Sequence, residues 1–247
     1  MDSIDAAVAA MDRLLERSLA ANDPRGFFTC VYRAVTVRVR DGIRAGEFDD
    51  GERMERFDVE FARLYLDAVR DHGLGRPVAA AWAVTFEAPT RGTLALQHLL
   101  AGMNAHINLD LGLAAATVQQ GRPIADLRDD FERISDVLAV MVDRMQEGLA
   151  TVSPWTSMAD RVGCRFDECL SAWSIGYARR RAWDFAERLT EAGGGYPFLV
   201  AEQDRRVARI GEELLHPGMP LRWVVAAAAR RERLAMREMH DLLLRPL

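Results

Sequence analysis

Lysine is absent from this 247-residue chain, in which all 32 basic residues are arginine. Schiff-base catalysis, pyridoxal phosphate attachment and a Walker-type phosphate loop each need a lysine amine, so the absence excludes all three. Cysteine is scarce: Cys30, Cys164 and Cys169 form no CxxC pair and leave an odd thiol. That pattern suits buried thiols in a reducing compartment rather than a disulfide framework. An excess of positive charge is also missing. The net charge of −5 argues against nucleic acid as a partner, which would call for a basic face. Long apolar runs are lacking too: the best candidate, Leu94 to Val118, is interrupted by two histidines, two asparagines and an aspartate, so no membrane span is expected. The start, Met1-Asp2-Ser3-Ile4-Asp5, reads as the acidic opening of an amphipathic helix and not as a secretory signal. Together these point to a cytoplasmic protein.

What is present is helical periodicity from end to end, with no alternating hairpin signal. The breakers delimit about eight or nine helices. They run from about Ser3 to Ala20, from Pro24 onward, from after the turn Gly46–Gly51 to about Asp71, and from Pro77 through Phe86. Further helices run from Gly92 to about Gln120, from Pro123 to about Thr151 and from Phe166 to about Ala192, with two more flanking His216-Pro217-Gly218. No repeat, linker or composition shift marks a second domain. The expected fold is all-α: a single domain over 1–247, an orthogonal or antiparallel bundle around one buried central helix.

That central helix is apolar nearly all round yet carries Gln97, His98, Asn104, His106, Asn108 and Asp110. Buried polar groups must be paired or bound to something, or they cost stability. At ~100° per residue they fall into two stripes. His98, Gly102, His106 and Asp110 share one, and Gln97, Asn104 and Asn108 the opposite one. His106 and Asp110 are i, i+4 neighbours whose side chains can converge, which suits half of a divalent metal site. Gly102 is expected to leave room beside them. A second half is offered by Asp126 and Asp130, again i, i+4, on a helix that Gly121-Arg122-Pro123 should fold back against the first; Asp129 points outward. The structural alternative is that an acidic first turn merely suits the helix dipole, and that His106 with Asp110 is only a buried hydrogen-bonded pair.

The run Arg179-Arg180-Arg181 lies among Trp173, Tyr177 and Trp183. An inward arginine there could hold an anion, so Arg179 and Arg181 join Asn108 as catalytic candidates. Asp58, beside Phe57, Phe61 and Tyr65, is a semi-buried carboxylate of the kind that usually meets an arginine.

The run Leu96-Gln97-His98-Leu99-Leu100-Ala101-Gly102-Met103-Asn104-Ala105-His106-Ile107-Asn108-Leu109-Asp110-Leu111 resembles the signature of a mostly actinobacterial helical family, domain of unknown function 5995. Phe57-Asp58 with Phe61 and Tyr65, Trp82 with Phe86, Asp130-Phe131, and Arg179 with Ala182-Trp183 are similar to it as well. The resemblance covers about residues 25 to 190 and implies a shared site without an activity. A more distant likeness is to the zinc-dependent phospholipase C and P1-type nuclease group, helical enzymes with an HxxxD pair and a second such pair among their metal ligands. It implies that His106 and Asp110 match the first pair and that Asp126 and Asp130 replace the second, which lacks its histidine here.

Two functions follow as expectations. The first is a divalent-metal-dependent hydrolase acting on a small-molecule or lipid-like substrate. His106, Asp110, Asp126 and Asp130 hold the ion (Zn, Mn or Fe), which activates water, while an arginine stabilises negative charge. The alternative is a helical binding module for a lipid, isoprenoid or haem, walled by Trp82, Phe86, Trp173 and Tyr177, with His106 as polar handle. A third reading has the polar helix only specifying packing, as in a homodimer.

Overall fold

The computed structural model describes residues 1–134, 175–219 and 221–229. The fold is all-α, with no strand among the described residues. Helix α1 spans Ile4–Ala21, α2 Gly26–Ala45, α3 Gly51–Gly73 and α4 Ala80–Glu87. The central segment is α5 (Ala95–Ala105), a π-turn (His106–Asp110) and α6 (Leu111–Val118). A 3₁₀ turn, Ile124–Leu127, leads into helical residues 128–134. Then come α7 (Ile175–Glu191), α8 (Tyr196–Leu215) and α9 (Leu221–Ala229). Trp173, Cys164 and Cys169 lie outside the described residues.

The helix ends follow local chemistry. Ser3 and Asp50 accept backbone N–H groups three residues on, from Ala6 and Arg53, and so cap α1 and α3. Helix α2 stops at Gly46, whose φ of 72° is left-handed and needs no Cβ. The short α4 has no cap of its own. Its first two amides, of Ala80 and Ala81, donate to the carboxylate of Asp204 on α8 at 2.8 and 2.9 Å.

Helices α2 and α3 run antiparallel, since Phe28 meets Tyr65 while Tyr32 meets Phe61. The central segment lies against α2, α4 and α8 through α5, and against α3 and α7 through α6, which is why its apolar side chains run all round. Two glycines let it sit that close. A Cβ on Gly102 would fall 2.6 Å from Cγ of Phe28, and one on Gly112 would fall 2.9 Å from the Ala182 carbonyl oxygen. The room expected beside Gly102 is therefore occupied by the Phe28 ring, because the helix opposite approaches at backbone distance.

Candidate functional site

The central helix is not regular through its polar stretch. From His106 to Asp110 it opens into a π-turn, closed by the Leu111 N–H on the His106 carbonyl, and all five residues are buried. Such turns are rare and recur at functional sites. On one side of it His106 Nδ1 lies 2.9 Å from Asp110 Oδ2, and the same oxygen accepts the Trp82 Nε1–H at 3.0 Å. The two expected metal ligands thus converge on each other.

Five aromatic rings enclose the imidazole. Phe61 stacks flat on it at 3.6 Å, and Tyr32 meets it edge to face at 4.3 Å. Phe28, Tyr65 and Trp82 stand at 5.4, 5.9 and 6.1 Å. Only Phe61 of the five keeps partial contact with solvent. The remaining ring nitrogen, Nε2, is buried and has no hydrogen-bond partner among the described residues. Burial drives His106 well below the usual histidine range. It drives Asp110 well above the usual carboxylate range, against the opposing Trp82 hydrogen bond. Both shifts favour the uncharged forms.

Two further polar atoms are stranded nearby. Asp58 is 4% exposed, and its Oδ2 has no partner among the described residues. Among the described residues no arginine meets it, contrary to expectation, and burial pushes its carboxyl up to about 7. Among the described residues the Tyr32 hydroxyl also makes no hydrogen bond of normal geometry; its pKa rises through burial and the Asp58 charge, against an opposing contact with the Thr36 side chain. Tyr32 was not among the expected site residues. The signal for it was its place one turn after Phe28 on the apolar face of α2.

The opposite stripe behaves differently. Gln97 Nε2 donates to the Leu214 and Leu215 carbonyls at the end of α8, and Asn104 Nδ2 donates to that of Val207. Asn108 donates to Asn104 Oδ1, and the Asn108 carbonyl accepts Gln203 Nε2 at 2.7 Å. The side chain of Asn108 therefore faces α8, away from the dyad.

The other expected site residues are placed apart from this one. Asp126 is exposed in the 3₁₀ turn, and Asp129 is exposed as expected. Asp130 is fully buried, but its carboxylate accepts four donors. These are the Asp49 and Asp50 amides (2.8 and 3.2 Å), Arg53 (2.7 Å) and Arg133 (2.9 Å). Among the described residues no three histidines, cysteines, aspartates or glutamates form a group able to hold a metal ion. Arg179 does turn inward. Its guanidinium covers the Phe131 ring at 4.5 Å, and Nη2 donates to the Phe131 carbonyl. Arg181 is half-buried and Tyr177 is exposed. His98 is buried, with burial lowering its pKa to about 4. A surface cleft of about 570 Å³ lies between the ends of α4 and α8, beside Glu87, Glu212, Glu213 and His216, and shares no residue with the aromatic box.

Among the described residues no helix is long and apolar enough to cross a membrane. One protein-family model matches the chain, over residues 4–217, under the description family of unknown function (DUF5995). No curated protein and no solved structure matches it.

Proposed function

The chain belongs to that family of unknown function (DUF5995), which brings no activity with it, and we propose that it takes a small molecule with an apolar body at Nε2 of His106. The observation that carries this is the unpartnered buried nitrogen inside the box of Phe28, Tyr32, Phe61, Tyr65 and Trp82. A buried polar atom without a partner costs about 1–3 kcal/mol, which an apolar side chain of similar size would avoid. Asp110 and Trp82 fix the ring's orientation, leaving Nε2 as the atom a ligand can address. Phe61 is the wall that solvent reaches, so the ligand enters past it. A lipid-like body fits the aromatic walls, with its polar head at the imidazole.

A second reading is favoured by one feature of the same pair. A carboxylate on one nitrogen of an imidazole is the arrangement found behind metal-ligating histidines. In that reading Nε2 binds a divalent ion, Asp110 orients the ring from outside the coordination shell, and the ion activates water for hydrolysis. Asp126 and Asp130 then take no part.

The test is protein purified without chelator, wild type beside His106→Gln. Elemental analysis, an absorbance scan and mass spectrometry of an organic extract report metal, haem and lipid in turn. Wild type should carry or take up one of these, and the variant should not. The proposal fails if both proteins are empty and neither melting temperature responds to added Zn²⁺, Mn²⁺, Fe²⁺, haem or a long-chain alcohol.

A further inference from the structure

Asp58 is a buried carboxylate whose Oδ2 meets no partner among the described residues, in a chain that has 32 arginines. The arginines of its own helix are committed elsewhere. Arg53 goes to Asp130, Arg56 to Glu52, Arg63 to Glu60 and Asp67, and Arg70 to Asp67 and Asp71. The facing helix offers no relief either. Phe28 opposite Tyr65 and Tyr32 opposite Phe61 set an antiparallel register that brings Thr36 toward Asp58. The Thr36 hydroxyl, however, donates to the Tyr32 carbonyl at 3.0 Å. An isolated buried charge is too costly to be retained for packing alone, since an apolar side chain would do better.

Asp58 is also well placed. It sits one helical turn before Phe61, the ring that stacks on His106, and its charge acts on Tyr32, whose ring touches both His106 and Phe61. The Tyr32 hydroxyl is the second stranded group here. The rings beside it in sequence and across the helix pair form one cluster: Phe57 stacks on Phe61 at 6.3 Å, and Tyr32 meets Phe61 edge to face at 5.5 Å. A carboxylate, a hydroxyl acceptor and several ring faces are the features that recognise an organic ammonium ion.

We infer that Asp58 and Tyr32 form the head-group end of the His106 site, and that the ligand class is a small primary or secondary amine, bound protonated, with an apolar body. Its N–H groups donate to Asp58 Oδ2 and to the Tyr32 oxygen, its charge neutralises the carboxylate, and its body lies along the aromatic box. This assignment rests on the reading of His106 as a ligand-binding group.

The probes are n-hexylammonium and its neutral counterpart 1-hexanol, titrated calorimetrically into the full chain and into the Asp58→Asn and Tyr32→Phe variants. Wild type should bind the ammonium about tenfold or more tighter than the alcohol. Asp58→Asn should bring the two within about twofold without weakening the alcohol, and Tyr32→Phe should weaken the ammonium several-fold. Circular dichroism confirms that each variant is folded. Equal binding of both probes by wild type, or an ammonium preference that survives in Asp58→Asn, overturns the inference. If wild type binds neither probe while carrying a species that His106→Gln loses, the head-group assignment fails and the His106 reading stands. If the Asp58-dependent preference is seen but His106→Gln changes nothing, the reverse holds.

Discussion

Replacing Asp130 with alanine separates a structural clamp from a metal ligand. The carboxylate lies out of solvent contact and accepts two backbone amides at the start of α3 together with Arg53 and Arg133. Removing it leaves two amides and a nearly buried guanidinium without their acceptor. Breaking a buried, hydrogen-bonded ion pair costs about 3–5 kcal/mol. The clamp is occluded rather than deep, because the Arg133 side chain that roofs it is 42% exposed and can return to water. The loss should therefore fall near the low end, about 3 kcal/mol, which for a chain of this size lowers Tm by roughly 6–12 °C. The pH dependence has a definite sign. Burial works to raise the carboxyl, but Arg53 and the two amides outweigh it and hold it below its ordinary value of 3.8. The contribution is present above 3.8 and is lost as pH falls through the lower folded value, so wild type and variant should converge in acid. Urea unfolding at neutral pH, with and without EDTA, reads the loss. A loss below about 1 kcal/mol, or one that appears only with added divalent metal, would refute the clamp.

Other substitutions test neighbouring parts of the argument. Gly102→Ala gains about 1 kcal/mol of helix propensity, but its methyl collides with Cβ and Cγ of Phe28 at 2.8 and 2.6 Å. Those atoms are tied to backbone, so a net loss of about 1–2 kcal/mol in urea is expected; a more stable variant would contradict the packing. Asp58→Asn should stabilise the ligand-free protein. Its carboxyl is raised from 3.8 to about 7, so the wild-type penalty grows as pH rises between those values and is constant above, at on the order of 2–4 kcal/mol. Unfolding midpoints for both proteins at pH 4, 6 and 8 measure this, and a gap that fails to widen with pH speaks against an unpaired carboxylate. Gln203→Leu strips the Asn108 carbonyl of its donor and should cost about 1–3 kcal/mol. Faster amide exchange at Leu111 should accompany it, and unchanged exchange would mean that the π-turn does not depend on this bond.

Helical geometry was enough to divide the polar residues of the central helix into two stripes: even within the π-turn, His106 still meets Asp110, and Asn108 still meets Asn104, at i, i+4 spacing. The pairing of His106 with Asp110 was legible from their i, i+4 spacing, but the partners of Gln97, Asn104 and Asp130 were not, since each comes from far along the chain. The acceptors for Gln97 and Asn104 lie more than a hundred residues away on α8, and Asp130 is met by amides eighty residues earlier. Asp130 is buried, but a buried carboxylate serves a clamp as well as a metal. The π-turn leaves no distinct mark in composition: His106, Asn108 and Asp110 are weak helix formers, but such residues also occur in regular helices. Gly102 shows the same limit: a missing side chain signals close approach or empty space, and only the Phe28 ring decides which.

The contrast between the two stripes is the strongest physical argument for a site. Both belong to one helix, and both are almost wholly removed from water. On the α8 side the Gln97, Asn104 and Asn108 amides are bonded, and even the carbonyl of the π-turn is served by Gln203. On the α2–α3 side His106 Nε2 has no partner among the described residues, and the facing helices add Tyr32 and Asp58, each with an atom likewise unpaired there. Selection for stability alone would have filled that side as it filled the other, with amides that close on carbonyls or with leucine. That one face of a buried helix is satisfied while polar atoms on the other go unpaired among the described residues is what supports the proposed ligand site.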